Sequence, residues 1–145
     1  MRNSVEASRS KYTNRASYGN KLNKMNDDTY ALRRNVMSVI YEAKNKGFNL
    51  PRIEVRIVSG GESNVCGYAY LNSNVVHITE KWSKVDTATL THLVLHEIVH
   101  AVTGYGHSDS CYLMQPIIQI KPNLEKSWSR FAFHMGKIGN SLMGQ

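Results

Sequence analysis

The chain predicts an α+β domain from three features: an apolar pattern at helical spacing near the start, short alternating segments in the middle, and an almost wholly apolar helix after them. The first helix is expected from Asn26 to Lys46. Asn26 is a capping residue type, Asp27 and Asp28 place negative charge in the first turn, and Gly47 marks the end. Between those limits Leu32, Val36, Val39, Ile40 and Ala43 recur on one face. After Pro51, the residues Ile53, Val55 and Ile57 alternate with Glu54, Arg56 and Val58, which predicts a half-buried strand closed by Gly60 and Gly61. Val65 to Leu71 and Val75 to Thr79 predict a hairpin around Asn72, Ser73 and Asn74.

A second helix is expected from Thr87 to Thr103. Leu90, Leu93, Val94, Leu95, Ile98, Val99, Ala101 and Val102 leave it apolar almost all round, so it is a buried helix whose few polar side chains need a reason. A last helix, Asn123 to Lys137, places Leu124, Trp128, Phe131 and Met135 on one face, an aromatic stripe that belongs to a core. A chain of 145 residues buries one core. Residues 26–145 therefore read as a single domain, preceded by residues 1–25, an arm rich in Ser, Asn, Lys and Arg that buries little surface and is expected to be loosely ordered.

The chemistry sits on the buried helix. His96-Glu97-Ile98-Val99-His100 is an H-E-x-x-H sequence, and residues four apart on a helix lie one above the other, so both imidazoles reach one metal ion. Glu97 flanks the same face and is placed to take a proton from water. A Zn²⁺ ion with three protein ligands lowers the pKa of its water to about 7, which makes hydroxide available at neutral pH. The competing reading is a polar stripe on an amphipathic helix with no metal. A third ligand is expected from His107, reached through the turn that Gly104 and Gly106 permit, with Glu125, Asp109 and His134 as the other candidates.

The stretch from His96 to Ser108, followed by Leu113-Met114-Gln115-Pro116, resembles the metzincin zinc peptidases, the matrixin type in particular. That family carries H-E-x-x-H-x-x-G-x-x-H and a methionine turn beneath the metal. The resemblance implies a minimal zincin-like fold, a peptidase activity, His96, His100 and His107 as zinc ligands, Glu97 as general base, and Met114 with Pro116 in the turn. Here Gly104 and His107 each stand one residue later than in the family pattern. The SprT-like metalloproteases, which also place a Gly-His after H-E-x-x-H, are the second resemblance and imply the same ligands. In zincins an edge strand of the sheet pairs with extended substrate, and Cys66 to Leu71 is the segment expected to be that edge.

The remaining candidates have separate readings. His92, one turn before His96, reads as a solvent-edge residue rather than a group supporting a ligand, and His77 as structural. Tyr105 and Tyr112 flank His107 and are candidates to donate to an oxyanion. Two cysteines, Cys66 and Cys111, are too few for a disulfide framework and read as reduced thiols, with Cys111 a small packing residue.

Charge and hydropathy bound the partners. The net charge is +7, and Arg2, Arg9, Lys11, Arg15, Lys21, Lys24, Arg33 and Arg34 all precede Asn35. Such an arm reads first as a solubilising tail, with a nucleic-acid backbone as the alternative partner. No apolar run approaches the roughly 20 residues that span a bilayer, and the first residues carry no hydrophobic segment, so a soluble cytoplasmic protein acting on protein or peptide substrates is expected.

Overall fold

The computed structural model describes residues 5–9, 27–59 and 65–136. Helix α1 follows strand β1 (Val5–Arg9) and spans Asp27–Asn45, burying the five apolar residues of the expected stripe. Asn26 lies outside the described residues. The helix closes where a residue with left-handed backbone is available: Gly47 has φ of 100° and donates to Lys44 O at 3.0 Å, while Phe48 donates to Ala43 O at 3.2 Å. This pair of bonds satisfies two carbonyls that the helix end leaves open, and it turns Phe48 inward. Phe48 then meets Phe131 edge-on at 5.0 Å and stacks on Trp128 at 6.4 Å.

Three strands follow, β2 (Glu54–Val58), β3 (Val65–Tyr70) and β4 (Val75–Thr79), with Gly60 and Gly61 outside the described residues. β3 and β4 form the expected antiparallel hairpin, and β2 lies parallel to β4. Among the described residues the sheet has four strands, not three, in the order β1-β3-β4-β2. β1 comes from the arm expected to be loosely ordered, and it pairs antiparallel with β3 from Val5 opposite Tyr70 to Ser8 opposite Gly67. Cys66 to Leu71 is therefore not the sheet edge: the flank of β3 away from β4 is taken by β1.

Past a short 3₁₀ turn at Glu80–Trp82, helix α2 (Thr87–Thr103) starts at Asp86, whose carboxylate accepts from Thr89 N at 3.0 Å and from Thr89 Oγ1 at 2.8 Å. That satisfies a first-turn amide and fixes where the helix begins. Every residue from Thr89 to Ala101 is buried. α2 packs on β3 and β4, with α1 and α3 (Leu124–His134) beside it, and α1 also covers β2. Asn123 caps α3 by accepting from Lys126 N at 3.2 Å. The helix is shorter than the sequence suggested, because Met135 already leaves helical geometry; its side chain stays buried.

The arrangement is α+β, and no helix among the described residues is long and apolar enough to cross a membrane. Phe48 packs the end of α1 against α3 through Trp128 and Phe131. Phe48→Ala is expected to lower the free energy of unfolding by about 3 kcal/mol, read as a lower urea midpoint at unchanged slope.

Candidate metal centre

The C-terminal end of α2 is clamped from two sides before any functional group is considered. Gly104, with φ of 77°, ends the helix and donates to His100 O at 3.1 Å. The turn between β3 and β4 supplies two more donors to the same end: Asn72 N reaches His100 O at 3.3 Å and Asn74 N reaches Ala101 O at 3.1 Å. Asn72 and Asn74 can do so because both adopt positive φ, near 60°. The positive φ is what calls for glycine at 104; a Cβ there would also press on the Asn72 side-chain amide, 2.5 Å from its Nδ2.

His96 and His100 are held by short bonds to backbone carbonyls. His96 Nδ1 donates to Leu113 O at 2.7 Å, and His100 Nδ1 donates to Tyr105 O at 2.7 Å. A carbonyl only accepts, so each Nδ1 carries the proton. Burial, and then the neighbouring His100, push His96 well below the ordinary imidazole range; burial pushes His100 down to about 4. Both rings are thus neutral near pH 7, and their Nε2 atoms present lone pairs. Those two atoms lie 3.2 Å apart.

Two acceptors at that distance repel unless positive charge lies between them. Nitrogen ligands at 2.0–2.1 Å in a tetrahedral zinc site stand about 3.3 Å from one another, so the pair already has ligand spacing. The ring of His107 completes the group, with centroids 5.2 Å from His96 and 4.8 Å from His100. One nitrogen from each of the three lies within 4.8 Å of the others, a looser set than the pair alone. The donor set, three imidazoles of which two are tautomerically fixed through their far nitrogens, suits a borderline ion such as Zn²⁺.

His107 is positioned by a loop that folds on itself. Ser108 N donates to Met114 O at 2.9 Å, Cys111 N to Ser108 O at 3.3 Å, and Met114 N to Cys111 O at 3.2 Å. Leu113 and Met114 are fully buried by this loop, so the carbonyl that orients His96 belongs to the same structure that carries His107. Glu97, also fully buried, faces β3: a Cβ on Gly67 would stand 3.2 Å from Glu97 Oε2 and 2.7 Å from His77 O.

The other candidates lie elsewhere. Glu125 and Asp109 are exposed and outside the three-histidine group. His134 sits with Nε2 3.2 Å from Cys111 Sγ and its ring 4.3 Å from Tyr105. Tyr112 accepts from Asn123 N at 2.8 Å through its hydroxyl. Neither cysteine forms a disulfide, and both are buried. His77 packs in the sheet, stacked on Tyr68 at 4.2 Å.

His92 is a correction. It is 1% exposed rather than at the solvent edge. Its Nδ1 donates to Ser127 Oγ at 2.7 Å, and Ser127 in turn donates to Asn123 O at 3.3 Å, so the imidazole ties α2 to the start of α3. Ser127 lies on the buried face of α3 between apolar neighbours, and an isolated serine there gives little warning of a histidine partner. Gly67 was missed as well, although a glycine inside a strand pattern is a signal of close backbone approach.

No family model matches the chain, and no curated protein or solved structure matches it significantly. The site therefore has to be read from its own geometry.

Burial brings His92 down to about 4. The unfolded chain takes up that proton near pH 6.5 and the folded chain only near 4, so protons favour unfolding and stability falls as pH drops through that window. With a chelator present, wild type is expected to lose on the order of 3 kcal/mol more than His92→Gln between pH 6.5 and 4 in urea titrations.

Proposed function

We propose that this chain is a zinc-dependent metallopeptidase of minimal zincin-like architecture, with His96, His100 and His107 as ligands and Glu97 as general base. The observation that carries the reading is the pair of Nε2 lone pairs 3.2 Å apart, each fixed by a carbonyl on the far side of its ring. The one-residue offset from the metzincin pattern has a structural reason. α2 stays helical through Thr103 and turns at Gly104, so the turn glycine and His107 move together and the Gly-x-x-His spacing is kept. The buried Met114, closing the loop from Ser108, supports the methionine-turn part of the resemblance.

Bound zinc would supply a polarising cation and acidify water at neutral pH. The chain's own groups do the rest. The two carbonyl bonds keep the imidazoles in the ligating tautomer without a proton transfer. Glu97, buried with its carboxylate against Gly67, takes the proton from the attacking water and returns it to the leaving amine. The substrate class is protein or peptide.

A second reading, a domain that holds zinc for stability alone, draws on the complete burial of His96, Glu97 and His100. The two separate on Glu97. Elemental analysis of purified wild type is expected to find about one zinc per chain, falling sharply in His107→Ala. Glu97→Gln should keep the zinc and lose peptide hydrolysis by about 100-fold or more. No zinc even after it is supplied sinks the hydrolase. Zinc present, with Glu97→Gln indistinguishable from wild type and chelation unfolding the chain, gives the structural reading instead.

A further inference from the structure

β3 runs against Glu97: at Gly67 a single added carbon would stand 3.2 Å from the carboxylate. Directly opposite Gly67, on the other flank of β3 from β4, is Ser8 of β1. The chain's own N-terminal segment thus runs as an extended, antiparallel strand along the element that borders the candidate general base. An extended peptide joining a sheet edge adopts this pose, with backbone hydrogen bonds providing affinity.

We propose that β1 is a built-in pseudosubstrate: Val5–Arg9 occupies the flank of β3 on which an extended polypeptide substrate pairs, and the site opens when β1 detaches. The inference rests on the peptidase reading above and deepens it by naming what regulates the same site, the chain's own segment Val5–Arg9. The sheet is built to allow the exchange. β1 is five residues long and, among the described residues, pairs with β3 alone, and its register with β3 breaks between Ser8 and Arg9. The remaining pairs, β3 with β4 and β4 with β2, do not involve β1, so the sheet under α2 persists without it. As a competitor on the same chain, β1 excludes weakly pairing peptides and admits those that bind the edge more strongly.

The test uses the full chain with two single substitutions, Glu6→Pro and Ala7→Pro. Successive amides on a strand point to opposite sides, so one of the two prolines removes a bond to β3 and the other removes an outward N–H that an edge strand tolerates losing. In the first, KM for an extended fluorogenic peptide is expected to fall about five- to tenfold with kcat within about twofold of wild type, since one ladder bond is at stake. The second should match wild type. A fluorescein-labelled peptide of residues Asn3 to Tyr12, added to the same variants in a Glu97→Gln background, should bind the first more tightly by the same factor. Both variants binding it as weakly as wild type overturns the proposal. Hydrolysis absent throughout, with the binding pattern intact, overturns the peptidase reading and leaves the role of β1 standing. Native-state hydrogen exchange on unmodified protein needs no variant to fold: amides of Val5–Arg9 should exchange about 100-fold faster than those of Val76–Ile78, and equal protection overturns the proposal.

Discussion

Two bonds of 2.7 Å from imidazole Nδ1 atoms to backbone carbonyls are the constraint on which the rest of the site depends. They choose the tautomer, set the ring planes and leave the Nε2 atoms facing each other at 3.2 Å. Neither carbonyl belongs to the helix that carries the histidines. Leu113 O comes from the loop that also supplies His107, and Tyr105 O from the turn just past Gly104. The three-histidine group is therefore a property of how α2 meets the following loop, and the H-E-x-x-H spacing alone does not produce it. The same bonds explain why the two rings can be buried: each has a partner on its far side, which offsets the cost of withdrawing a polar group from water.

The scaffold exists to hold that meeting point. α2 is apolar nearly all round because β3, β4, α1 and α3 contact it, and its two ends are fixed independently. Asp86 sets the start through Thr89, and the β3–β4 turn sets the end through the amides of Asn72 and Asn74. The turn of the helix that carries His96 and His100 thus cannot slide relative to the sheet, and β3 lies against Glu97 and the His77 carbonyl, where a Cβ at position 67 would stand 2.7 Å from that backbone oxygen. His92 extends the lock to α3 through Ser127. Among the described residues β1 and β2 are the two sheet edges, and β1 is the one that runs along β3 beside Glu97, which is why exchange is assigned to it and not to the helices.

Most of this architecture was legible in the residues. The stripe Leu32 to Ala43, the hairpin around Asn72–Asn74 and the continuous apolar run of α2 each carry a periodicity or a turn residue that local physics enforces, and each formed as expected. The grouping of His96 with His100 follows from helix geometry, and that of His107 from glycines permitting a turn. What was not legible is non-local. In Val5-Glu6-Ala7-Ser8-Arg9 the only apolar residues are Val5 and Ala7, too short and weak an alternation to announce a strand, and its strand state comes from pairing with residues some sixty positions away. The orienting groups at Leu113 and Tyr105 are carbonyls, which every residue has, so no side chain announces them. His92 was misread because Ser127, 35 residues on, turns a polar group at a helix surface into a buried tie.

The central claim is that three imidazoles, two of them preset by carbonyl bonds, converge on one ion. X-ray absorption at the zinc edge of the reconstituted full chain tests it most directly. The expected result is three imidazole nitrogens and one light oxygen at about 2.0–2.1 Å, with one imidazole lost in His107→Ala. A first shell containing sulfur, or fewer than three imidazoles in the wild type, would contradict it.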